Sequence, residues 1–180
     1  MRSARKTAAL ALATIGLMTG GIGSAAAEPV TFDAVSMWEA NGTVVQSASD
    51  RNVFAGEVSG PYAIDTGKGP VPAGRIICVG TVAAAISTGE QVGKGECQIV
   101  AMDGAIAFGR FECSGLRLVG CSGIFEITGG EGRLEGAKGS GKIVVRRAET
   151  SFKVQNGSLR EEAFGVAFWK DMTLEMPEKN

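Results

Sequence analysis

The chain has 180 residues, 44% of them hydrophobic and 21% charged, with 27 glycines, four cysteines, no histidine and a formal net charge of −1. Without histidine there is no Ser-His-Asp or Cys-His nucleophile and no histidine-bound metal, so His-dependent hydrolase chemistry is excluded. A nearly neutral, slightly acidic balance lacks the basic footprint that nucleic acid or an anionic membrane surface requires of a partner.

The first 27 residues read as a secretory signal peptide. Arg2, Arg5 and Lys6 precede the apolar run from Ala8 to Met18, and Ala25-Ala26-Ala27 offers a cleavage site before Glu28. The run is too short for a membrane span, which needs about 20 apolar residues. Loss of the three leader cations takes the formal charge from −1 to −4. Residues 28–180 are then expected to form one domain in the periplasm or outside the cell.

Beyond Val30 the sequence falls into short β-type runs separated by glycine-rich or polar turns, with no sustained helical stripe. Strands are predicted over Thr31 to Val45, Val53 to Ile64, Arg75 to Ser87, Gly95 to Met102, Ala105 to Cys113, Cys121 to Thr128, Lys142 to Thr150 and Ala163 to Leu174. Asn41-Gly42 is placed to break or bulge the first. In the last, Phe164, Val166, Phe168, Met172 and Leu174 share a face taken as core, which Lys170 interrupts. Alanine and glycine at alternate positions of the third and fifth runs suit a small closed barrel. The fold class expected is all-β, an eight-stranded antiparallel closed barrel, with a β-sandwich as the alternative.

Four cysteines in an exported chain suggest two disulfides, for which three pairings exist. Asp103-Gly104 between apolar runs predicts a two-residue hairpin turn. Cys97 would then face Arg110, Cys113 would face Lys94, and the two thiols would lie on opposite faces of the sheet. A turn at Thr88-Gly89 brings Cys78 within two positions of Cys97, and Cys113 and Cys121 flank the Ser114 to Gly120 loop. Cys78 with Cys97 and Cys113 with Cys121 are the favoured pairs.

The stretch Ile127 to Ile143, ITGGEGRLEGAKGSGKI, contains G-x-x-x-x-G-K but places Ile143 where a phosphate loop needs Ser or Thr for magnesium. A β-branched run follows it instead of a helix. It therefore reads as a connection, in which Arg133-Leu134-Glu135 form one helical turn with Leu134 tucked inward and Gly136 ends it. No nucleotide, metal or other cofactor is called for.

From Cys121-Ser122-Gly123 through Gly129-Gly130 to Gly139-Ser140-Gly141, the same region resembles a segment of bacterial proteins related to the allene oxide cyclase barrel and to dirigent proteins. The resemblance implies an eight-stranded barrel around an elongated apolar cavity, and a cofactor-free cyclase or isomerase as one possible activity. Leu134 stands where those proteins carry an aromatic residue. No catalytic residue is carried over.

If the barrel has an acid–base site, the residues themselves nominate Glu112 and Glu126 with Arg110, on neighbouring strands and of matching parity. Trp38, Tyr62, Phe108, Phe168 and Trp169 are candidates for lining a ligand cavity. The plain alternatives are that the charged residues face solvent and the aromatic ones fill the core. The function expected is binding of an apolar or aromatic small molecule inside the barrel. Against it stand the cyclase and a non-enzymatic interaction barrel, and the oligomeric state is left open.

Overall fold

The computed structural model describes residues 28–177, so the predicted leader lies outside the described residues. Eight strands follow one another around a single ring: β1 (Val30–Ala48), β2 (Arg51–Asp65), β3 (Val71–Ala85), β4 (Glu90–Ala101), β5 (Ile106–Leu116), β6 (Gly120–Glu131), β7 (Gly139–Gln155) and β8 (Ser158–Leu174). Each pairs antiparallel with the next, and β8 pairs with β1 to close the barrel. Closure removes the free edges that a sandwich of the same strands would leave.

The stretch that imitates a phosphate loop is the β6–β7 connection. Gly132–Leu134 form a 3-10 turn, Leu134 is buried, and Gly132 and Gly136 take φ of +66° and +72°. These are left-handed conformations that side chains other than glycine rarely adopt. Lys138 then bridges to Glu175 before β7 begins.

Several expected registers are corrected. At the β4–β5 hairpin, the Gly104 N–H donates to Ala101 O at 2.9 Å, and the Ala101 N–H donates to Ala105 O at 2.8 Å. With Gly104 at φ +84° this is a three-residue turn ending in a left-handed glycine, one residue longer than Asp103-Gly104 alone predicts. The register moves by one, so Cys97 faces Gly109 and Cys113 faces Gly93. A one-residue slip reverses every side chain; both thiols therefore lie on the same, inward face, and all four cysteines are buried.

The favoured disulfides form nonetheless, for a different reason. Cys78 lies directly opposite Cys97 with Cα atoms 4.0 Å apart, and Cys113 bridges diagonally to Cys121 at 5.5 Å. Two disulfides are characteristic of an oxidising compartment. Removing the first bridge with Cys78→Ala and Cys97→Ala is expected to cost about 3 kcal/mol, and removing the second with Cys113→Ala and Cys121→Ala somewhat less. The chain-entropy contribution grows with loop length, and the separations are 19 and 8. Urea midpoints of the two double variants check this, and the reverse order would contradict it.

Asn41-Gly42 does not interrupt β1, because Asn41 pairs with Glu57 and Gly42 with Gly56 in an unbroken ladder. The predicted core face of β8 is also reversed. Ala163, Gly165, Ala167 and Trp169 point inward, while Phe164 is 47% exposed on the outer wall. A bulge opposite Phe32 to Ala34, with Asp171 at φ +52°, then changes parity, so that Met172 is buried inside.

Small inward residues leave room for aromatic rings laid along the wall. A methyl group on Gly95 would come within 2.8 Å of the Phe111 ring. One on Gly109 would lie 2.7 Å from Phe125, and one on Gly165 2.7 Å from Trp38. Each ring thus covers a glycine of a nearby strand, and the volume saved at the glycines becomes ring-lined space along the barrel axis.

Candidate functional site: a divided barrel interior

Inward residues of the eight strands enclose two chambers separated by Ile76, Phe125 and Trp169, which line both. Phe125 meets Trp169 edge to face with ring centroids 5.9 Å apart. The first chamber has a volume of about 110 Å³ and is walled by Trp38, Phe54, Val58, Phe111, Ile143 and both disulfides. The second, of about 240 Å³, lies toward the β2–β3 loop and the 3-10 turn, between Phe32, Tyr62, Ile64, Ile127, Leu134 and Met172.

The first chamber ends in charge. Glu161 on β8 is 1% exposed, and its two carboxylate oxygens accept from Arg117 of the β5–β6 loop and from Arg147 of β7, the latter at 2.5 Å. Arg147 also donates to Thr150 Oγ1 at 3.0 Å. Burial lowers the pKa of the Arg117 guanidinium, opposed by the Glu161 charge and reinforced by Arg147. Gln91 Nε2 donates to Gly120 O at 3.1 Å beside this group.

Four buried polar atoms around the chamber have no hydrogen-bond partner among the described residues: Trp38 Nε1, Trp169 Nε1, Arg117 Nη1 and Gln91 Oε1. Buried polar groups are normally paired, and leaving one unpaired costs about 1–3 kcal/mol. Trp38, Trp169 and Gln91 line this otherwise apolar space, and Arg117 reaches its charged end through Glu161.

At the second chamber's mouth, Arg133 of the 3-10 turn pairs with Asp103 of the β4–β5 turn. The Arg133 hydrogen bond holds the Asp103 carboxyl below its usual range. Half-buried Tyr62 borders this chamber, and its phenol is pushed up mainly by burial, with Arg133 opposing and Asp103 adding to the shift. The pair tethers two connections across the mouth.

Of the residues nominated from sequence, Trp38 and Trp169 line the first chamber, Trp169 and Tyr62 the second. Arg110 and Glu126 do come together, as direct cross-strand partners 2.6 Å apart, but on the outer wall, where their side chains are 59% and 42% exposed. Glu112 faces Lys94 on the same outer surface. Arg110 and Glu112 are outside the cavity because the β4–β5 register places odd-numbered residues of β5 inward, and Glu126 lies beside Arg110 as its cross-strand partner on β6. Phe108, 36% exposed, and half-buried Phe168 are likewise outward.

Sequence reasoning missed Arg117, Arg147, Glu161 and Gln91. One signal was present: Glu161 shares the parity of Ala163, Gly165, Ala167 and Trp169, but the last strand was predicted to begin after it. Asn156-Gly157 could have extended that strand, since both residues take positive φ and join β7 to β8 in a two-residue turn.

These features define an eight-stranded antiparallel barrel with a divided apolar interior and a charged end. No protein-family model matches the chain, and no curated protein matches it. Among solved structures the chain is similar to the pterocarpan synthase dirigent protein, with a TM-score of 0.39 and 11% identity over 87% of this chain and 91% of that one. The barrel architecture itself rests on the strand pairing of this chain.

Proposed function

We propose that this chain is an exported barrel, periplasmic or secreted, that binds an apolar or aromatic small molecule in its interior. The observation that carries the reading is the pair of apolar chambers separated only by side chains. Ligand pockets usually hold about 300–1,000 Å³. Neither chamber reaches that alone, and the two joined by a turn of Phe125 or Trp169 do. The leader-like N-terminus and the two disulfides support export.

The cyclase activity implied by the sequence resemblance requires an acid or base free to exchange protons with a ligand. Glu161, the one buried carboxylate among the described residues, is committed to two guanidiniums. Binding is therefore favoured over catalysis, and a filled interaction barrel is disfavoured by the chambers themselves.

The neutral dye N-phenyl-1-naphthylamine tests this directly. Both tryptophans of the chain line the interior, so a bound dye is expected to quench them and to emit by energy transfer at a stoichiometry of one. Absence of transfer, together with native mass spectrometry that finds no small molecule on protein taken from its own cells, would sink the proposal.

A further inference from the structure

We propose that the first chamber selects a monoanion, an aromatic or aliphatic carboxylate whose head meets the Arg117–Glu161–Arg147 cluster while its apolar part lies against Trp38, Phe125 and Trp169. This rests on the interior-binding reading above and adds the chemical class of the ligand.

The charge count is the first support. Two guanidiniums surround one carboxylate, their side chains are only 15% and 12% exposed, and Glu161 is the sole buried acid among the described residues. The cluster carries one uncompensated positive charge in a poorly solvated place, and a charge taken from water without a partner is costly. An anion at the chamber wall would neutralise it. A neutral ligand would leave it as it is, and a cation would meet repulsion.

The second support is independent of charge. Trp38, 6% exposed, lines the chamber and lies over Gly165, the cross-strand partner of Arg147; its indole N–H has no acceptor among the described residues, and neither does Nη1 of Arg117, which binds Glu161. Both can only donate. The complement is a group rich in acceptor oxygens, which a carboxylate supplies through two oxygens and about four lone pairs. Gln91 Oε1 is the lone unpaired acceptor nearby, so a fully protonated donor group is poorly matched.

Size sets the third condition. The chamber's volume of about 110 Å³ approaches that of engineered cavities of about 150 Å³ that admit benzene. It takes a single ring or a short chain next to the head, and anything longer must pass Phe125 and Trp169 into the second chamber.

The test compares benzoate with benzyl alcohol and benzylamine, using tryptophan fluorescence for affinity and the two indole N–H resonances for position. Benzoate is expected to bind at least tenfold tighter than the alcohol and to shift the Trp38 indole resonance downfield, with benzylamine weakest. Glu161→Gln removes the competing carboxylate and is expected to strengthen benzoate binding. A purely structural ion pair predicts weakening instead. Arg117→Lys keeps the charge but loses the planar fork, so it should narrow the preference several-fold; it is also the variant to read if Glu161→Gln does not fold. Equal binding of benzoate and benzyl alcohol, or benzoate binding without movement of the Trp38 indole resonance, overturns the anion site. If the naphthylamine dye still binds, the apolar-interior reading stands without it. If the dye also fails to enter and no small molecule accompanies the protein from its own cells, both fall.

Discussion

Phe125→Ala should lower the stability of the barrel by about 3–5 kcal/mol and at the same time make it a better container. Phe125 is 2% exposed, and its ring packs edge-on against Trp169 and covers Gly109. Truncating a buried phenylalanine costs this much through lost transfer energy and the cavity left behind. It is a large share of the roughly 5–15 kcal/mol by which a domain of this kind is stable. Collapse is expected to be limited, since a closed ladder holds the walls apart on both sides of the site. The two chambers should therefore merge, raising the affinity for N-phenyl-1-naphthylamine while the urea midpoint falls. Phe125→Leu should show both effects in smaller measure. A folded variant whose dye affinity is unchanged would mean that Phe125 does not divide the interior.

The barrel was legible in the sequence because strand alternation, glycine-rich turns and an even number of cysteines all point the same way. Eight strands were predicted and eight form, and the helical turn before Gly136 falls within a residue of its predicted place. What failed was parity. Asp103-Gly104 is compatible with a two-residue and a three-residue turn, and the choice between them decides whether Glu112 and Arg110 or Phe111 and Cys113 face the cavity. In β8, hydrophobicity misled. Phe164, Val166 and Phe168 are larger than Ala163, Gly165 and Ala167, yet the small residues are inside, because a barrel this narrow fills its axis with a few rings and has no room for a bulky residue at every inward position. Glu161 escaped notice for a related reason. One of two adjacent acids just ahead of a predicted strand looks like surface, and its partners come from a loop and a strand 44 and 14 residues away in the chain.

Glu161→Gln should cost about 3–5 kcal/mol, whereas Arg110→Gln should cost less than about 1 kcal/mol, although each change breaks an ion pair. The difference is burial. Arg110 and Glu126 are about half exposed, so water and salt screen what they lose. Replacing Glu161 leaves Arg117 and Arg147 facing each other with no carboxylate between them, and an uncompensated buried charge is the expensive outcome. The size of the loss does not measure how much the cluster stabilises the fold. Buried ion clusters often contribute little net stability against well-packed apolar residues, so the triple variant Arg117→Leu, Glu161→Leu, Arg147→Met should recover most of what Glu161→Gln loses, as read from urea midpoints. If it does, retaining the charges is explained by what they select and not by folding. Benzoate separates the two roles once more: it should raise the melting temperature of Glu161→Gln more than that of the parent, by supplying the missing negative charge, and should leave the triple variant unmoved. A Glu161→Gln loss no larger than that of Arg110→Gln would show that the arginines reach enough solvent to need no carboxylate.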